Sequence, residues 1–252
     1  MDDIIVVEHQ KPKLEHPIFV EGLPGVGNVG KLAAEHLVDE LKAKRFVTLQ
    51  SKYFPPQVLV GDDGVIRLVS NELYYYKKKG INDIIFMVGD YQGLTPEGQY
   101  ELAYRTLSLL QKYNIKRIFT LGGYGLGKII DKPRVLGAAT DKALVEEMKK
   151  HGVVFSKGEP GSGIIGASGL LLGLACHWNI PGVCLMGETS GYFVDPKSAR
   201  MVLEVLVKIL GLKIGYTALE QKAQQIERLT TQFKEAEKAV ADSKADDLRY
   251  IG

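Results

Sequence analysis

Strand-like apolar runs occur at 58–60, 65–69, 84–88, 117–121, 153–155 and 183–186, and they alternate with helical patterns at about 97–113, 140–150 and 196–210. A strand with one wet face alternates apolar with polar residues. "IIFMV" at 84–88 and "VCLM" at 183–186 do not, which predicts strands covered on both faces. Strand and helix in alternation then predict an α/β fold, a mainly parallel sheet flanked by helices. "GDDG" at 61–64 joins two of the early strands as a hairpin.

Two glycine-rich turns punctuate this pattern. "GLPGVGNVGKLAAEHL" (22–37) carries G-x-G-x-x-G as Gly25, Gly27 and Gly30, after an apolar strand (Pro17–Val20) and before a helical pattern (31–41). That context fits a dinucleotide turn, with free N–H groups at a helix start facing an anion. The reading also requires an Asp or Glu at the end of the next strand to hold the ribose hydroxyls. "KRFVTLQSKYFPP" offers Thr48, Gln50 and Ser51 there, and Lys52 is the charge. A phosphate, a nucleoside or no ligand at all stays open. "GSGIIG" repeats the spacing as Gly161, Gly163 and Gly166, and two turns of one kind suggest fold geometry rather than two cofactors. "GGYGLGKI" at 122–129 has P-loop spacing, but Ile129 stands where magnesium needs a Ser or Thr.

In a parallel sheet, ligand sites lie beyond the carboxyl ends of the strands. Asp90 and Glu188 are the best carboxylates there and Ser190 the best hydroxyl, and the competing reading is a nucleoside- or phosphate-processing pocket that uses Asp90, Arg134 or Glu188. The histidines do not complete a catalytic set: His9 and His16 lie near the N-terminus, His36 and His151 on helices, His177 beside Trp178. Cys176 and Cys184 are expected as buried thiols, with neither zinc nor disulfide spacing. The expectation is therefore no catalytic residue, no cofactor and no metal.

Charge sets further limits. Lys and Arg number 32 against 30 Asp and Glu, which gives no global electrostatic case for nucleic acid or an anionic membrane. "YYYKKKG" at 74–80 is read as a strand end and a solvated turn, because three adjacent tyrosines on a strand cannot share a face. The stretch 161–187 has no Asp, Glu, Lys or Arg, which suggests a membrane span, but "NIPG" at 179–182 divides it into a buried helix (168–178) and a buried strand (183–186). "MDDIIVVEHQ" has no basic n-region, so a cytoplasmic protein is expected.

The organisation read from these patterns is an α/β platform at 1–214, a helix at 215–241 and a docking tail at 242–252. In the helix Leu219, Ile226, Phe233 and Val240 recur every seven residues, with Leu229 and Ala236 between them. Such a helix would span roughly 39 Å, and its narrow apolar stripe suits a coiled-coil seam between copies. The tail runs from acidic to apolar and aromatic as Leu248, Arg249, Tyr250, Ile251 and Gly252.

Taken together, "GLPGVGNVGKLAAEHL", "GDYQGLTPEGQYELAYRTL", "TLGGYGLG", "GIIGASGLLLGLA" and the helical extension resemble the proteasome assembly chaperone family, specifically its archaeal homologues. The resemblance covers essentially the whole chain. It implies a fold similar to nucleoside phosphorylases and a homo-oligomer such as a tetramer. It further implies binding to 20S proteasome α-subunits, as an assembly factor or an ATP-independent activator. Proteasome activators commonly end in hydrophobic–Tyr–any. Here Tyr250 is third from the end, Arg249 takes the hydrophobic position and Ile251 the tyrosine position.

Overall fold

The computed structural model describes residues 2–155 and 163–226. Gly161, the helix positions Leu229, Phe233, Ala236 and Val240, and the tail residues Leu248 to Gly252 lie outside the described residues.

Eight strands form one sheet in the order β1-β3-β6-β7-β2-β8-β10-β9. They are β1 (Ile4–Glu8), β2 (Ile18–Glu21), β3 (Lys44–Ser51), β6 (Asn71–Tyr76), β7 (Ile84–Gly89), β8 (Arg117–Gly125), β9 (Val135–Ala139) and β10 (Gly182–Thr189). The central run β7-β2-β8-β10 is parallel. Its flanks, from β1 to β7 on one side and β9 on the other, pair antiparallel. The sheet is thus mixed where a mainly parallel one was expected. The cause is connection length: β6 and β7 are joined by a short turn, which leaves no room for a parallel crossover. The C-terminal ends of β2, β3, β7, β8 and β10 share one end of the sheet.

The central strands are buried from end to end, β2, β7 and β10 at every position. Helices α1 (Val29–Glu40), α3 (Lys142–Lys149) and α5 (Pro196–Leu210) cover one face, packing Leu37, Met148 and Leu203 against Val20, Phe86 and Leu185. On the other face α2 (Pro96–Leu110) and α4 (Ala167–Ala175) pack Leu107 and Leu171 against Phe19, Met87 and Cys184. Period 2 in the strands sends alternate residues to the two cores, which is why their sequences read as continuous apolar runs. Side-chain caps start the helices: Thr95 accepts from Gly98 N, Asp141 from Leu144 N and Asp195 from Ser198 N.

The helical patterns at 97–113, 140–150 and 196–210 correspond to α2 with its 3-10 extension, α3 and α5. Three strands fall outside the apolar runs singled out from the sequence. β1 and β9 lie at the sheet edges, and β6 begins with Asn71 and Glu72 and ends in the three tyrosines. Tyr75 points to one core and Tyr74 and Tyr76 to the other. The run at 153–155 makes a single bridge, Val154 to Leu136, instead of a strand. β4 (Val58–Val60) and β5 (Ile66–Leu68) form a separate two-stranded ribbon around the "GDDG" turn, closed by Gly61 N donating to Val65 O at 2.9 Å.

A further helix occupies residues 217–226. It is tethered at its start by Gly215, whose N–H donates to Glu40 at 3.0 Å and whose carbonyl meets His36 Nε2 at 2.7 Å. Leu219, expected in a seam between copies, is 2% exposed in the core beneath α1 and α5. Lys222 reaches a cavity of about 290 Å³ that also touches Glu35, Arg67 and Asp90. The helix therefore climbs along α1 toward the strand C-terminal ends.

Candidate functional site

The residues singled out by sequence converge on that same end of the sheet. Gly27 has φ +62° and Gly30 sits where a Cβ would come within 2.0 Å of Leu121 O. These two glycines are required by a left-handed turn and a close approach of α1 to β8. Gly25 is extended, with ordinary space beside it. Asp195 N donates to Gly27 O at 2.8 Å, tying the turn to the start of α5. The second turn behaves alike at Gly166, whose φ of +93° precedes α4, while Gly163 faces open space.

Gln92 joins the two turns. Its Nε2 donates to Pro24 O at 2.7 Å and its Oε1 accepts from Ala167 N at 2.9 Å. One side chain thus fixes the loop before α1 and the first turn of α4.

The carboxylates proposed for chemistry are held by arginines. Arg67 grips Asp90 with a two-point fork, Nη1 to Oδ2 at 2.6 Å and Nη2 to Oδ1 at 2.9 Å, and Ser70 N adds a bond at 2.9 Å. Partial burial alone would raise the Asp90 pKa, but the Arg67 fork and the Ser70 N–H outweigh it and hold it below the usual carboxylate range. Glu188 is likewise lowered by Arg134, whose Nε and backbone N both donate to it at 2.9 Å. Both groups stay ionised and saturated, which makes them poor general acids or bases. Ser190 Oγ accepts from Tyr192 N at 3.4 Å and caps a turn. "GGYG" at 122–125 is the end of strand β8, so a phosphate-cradling loop does not form there.

Glu21, not singled out by sequence, is a carboxylate that burial shifts strongly. It closes β2 with no exposure, and burial pushes its pKa up to about 7 against the opposing bonds from Leu23 N at 2.9 Å and Ser168 Oγ at 3.0 Å. It hid in "IFVE" because a carboxylate at a strand end reads as a surface residue. Of the thiols, Cys184 is buried and raised to about 12 by that burial. Cys176 is exposed, contrary to expectation, because the helix containing it turns its last residues to solvent.

Among the described residues no group of three or more His, Cys, Asp or Glu side chains is placed to hold a metal ion. His9 bonds Thr48 and His36 bonds a backbone carbonyl. Among the same residues no helix is long and apolar enough to cross a membrane.

The family model for PAC2 matches residues 19–234. The chain belongs to the PAC2 family. The resemblance carried by the glycine turns is thereby supported across most of the sequence. The solved structure of Pyrococcus furiosus PbaB, described as an archaeal proteasome activator, is 40% identical and superposes with a TM-score of 0.88, covering 93% of this chain and 100% of that one. Pyrococcus furiosus PbaA, described as an archaeal homolog of proteasome-assembly chaperone, is 31% identical with a TM-score of 0.77, covering 99% and 100%. An uncharacterized Methanocaldococcus jannaschii protein, MJ1210, is 42% identical over 95% of this PAC2 chain and 93% of its own.

Proposed function

We propose that this PAC2 protein is a non-enzymatic factor that engages the 20S proteasome, in its assembly, in its ATP-independent activation, or in both. The observation that carries this is the 40% identity to the proteasome activator PbaB, which extends over 93% of the chain rather than over a shared fold alone. The α/β domain is the platform. Residues 248–252 are the docking peptide, inserting between α-subunits, and copies associate so that several tails act together, giving avidity from weak contacts. The stripe from Ile226 to Val240 is one seam between copies, with Leu219 retained by its own core.

The commitment of Asp90 and Glu188 to guanidinium forks supports a binding role over nucleoside chemistry. The test is hydrolysis of a fluorogenic peptide by purified 20S proteasome without ATP. The full chain should stimulate it, a version ending at Ser243 should not, and Asp90→Ala and Glu188→Ala should retain stimulation. Equal rates with and without the full chain would remove activation from this reading.

A further inference from the structure

A short link, residues 211–216, joins α5 to the helix at 217–226. It holds two glycines, Gly211 and Gly215, and Gly211 ends α5 in the left-handed conformation at φ +66°. A glycine link of this kind leaves the direction of the next helix open unless contacts fix it.

The contacts here come from both neighbouring helices. Leu212 and Leu219, 9% and 2% exposed, belong to the core beneath α1 and α5, and Ile214 and Tyr216 pack against it. From α1, Glu40 and His36 take up both backbone groups of Gly215. A carbonyl only accepts, so His36 Nε2 carries the proton in its bond to Gly215 O. The Tyr216 ring then meets the same two helices. Its centroid lies 6.2 Å from that of His36, the planes 14° apart, and 5.2 Å from the Arg200 guanidinium of α5. Arg200 also donates to Glu204 in its own helix at 2.8 Å and to Glu220 in the first turn of the next. One guanidinium thus ties α5 to the ring and to the helix that follows it.

This anchorage also orients the helix about its axis. Leu219 is buried and Ala223 and Ile226 half-buried, one face at i, i+4 and i+7, while the other positions from 217 to 225 are exposed. The first heptad of the apolar repeat therefore turns to the chain's own platform.

We propose that Arg200, Tyr216 and His36 are positioning residues for proteasome engagement, fixing the direction in which the chain leaves the platform at residue 226; this rests on the reading of residues 248–252 as the docking peptide. A peptide that starts from a fixed exit has less freedom to lose on docking than one swinging on two glycines. The clasp accordingly sets the concentration needed for engagement and leaves its maximal effect alone. Arg200 is separable from the fold of α5, whose core contacts are made by Ala199, Val202, Leu203 and Leu206.

The test uses the full chain in a Cys176→Ser background, Cys184 being buried. Nitroxide labels on Lys197→Cys and Gln225→Cys, diluted with unlabelled chain so that each pair lies within one copy, report the distance between α5 and the helix by pulsed electron paramagnetic resonance. Circular dichroism melts check the platform. The native clasp should give one narrow distribution. Arg200→Ala/Tyr216→Leu should about double its width, and Arg200→Lys/Tyr216→Phe, which keeps the cation and the ring, should restore it; Arg200→Ala alone serves if the pair does not fold. Titrated against 20S proteasome, the first pair should raise the half-maximal concentration for peptide hydrolysis at least about threefold at an unchanged plateau, and the second should return it to the native value. A native distribution as broad as that of the variant overturns the proposal, and so does a broadened helix with an unshifted half-maximal concentration. A native chain that leaves the proteasome unstimulated removes the docking reading, while the widths still decide whether the clasp holds the helix, so the two fail separately.

Discussion

At Glu21 a single carboxylate sets a pH dependence. Its folded-state pKa of about 7 lies above the ordinary 4.5, so folding favours the protonated form. The stability it contributes is complete below the ordinary value, is lost as pH rises toward 7, and is flat above that. The span corresponds to about 3 kcal/mol at the usual 1.4 kcal/mol per pKa unit. Glu21→Gln keeps an acceptor for Leu23 N and removes the charge, its amide N–H group donating to Ser168 Oγ where Glu21 accepted from it. Denaturant melts should therefore show the variant gaining on the native chain by about 2–3 kcal/mol between pH 5 and pH 8; parallel curves would mean that Glu21 is solvated. Sequence pointed instead to Asp90 and Glu188. Their positions after strands were legible, but their partners Arg67 and Arg134 lie 23 and 54 residues away, and nothing local signals such pairs.

Among the elements, the glycine turns are where sequence served best and where it was least specific. G-x-G-x-x-G announces a tight entry into a helix, yet it does not separate a phosphate cradle from a packing device. The structure ranks the three glycines by what each one meets. Gly30→Ala drives a Cβ into Leu121 O, a backbone atom that cannot yield without parting α1 from β8. Gly27→Ala meets a left-handed φ and Thr189 Oγ1 at 2.9 Å, a cost on the order of 1–2 kcal/mol. Gly25→Ala finds its first neighbour at 3.8 Å and costs little. Thermal unfolding should therefore place the losses in the order Gly30, Gly27, Gly25, with Gly30→Ala at about 3 kcal/mol, the upper end of the usual cost of overpacking. Equal losses would contradict the close-approach account. Central strands were legible because burial on both faces leaves a continuous apolar run. β6 was not, since it opens on Asn71 and Glu72 and ends in three tyrosines; β1 and β9 were not, since short apolar runs at the sheet edges are paired by tertiary contacts that the local sequence does not announce.

For the molecule as a whole, exposed apolar side chains gather at one end. Val26, Ile165, Tyr192 and Phe193 stand on the loops beyond β2, before α4 and beyond β10, at 46%, 95%, 70% and 55% exposure, and the β4–β5 ribbon shares that end. The helix at 217–226 climbs toward it. If copies supply several tails to one α-ring, effective concentration multiplies individually weak contacts, commonly by about 10²-fold or more. Co-expressing the native chain with an excess of the chain ending at Ser243 reduces the number of intact tails carried by each particle. Titrating these mixed particles against 20S proteasome should raise the half-maximal concentration for peptide hydrolysis at least about tenfold while approaching the native plateau at saturation. The chain ending at Ser243 by itself should keep its particle mass and lose the plateau. If the mixed particles instead match the native half-maximal concentration, the tails act singly, and association of copies contributes nothing to proteasome engagement.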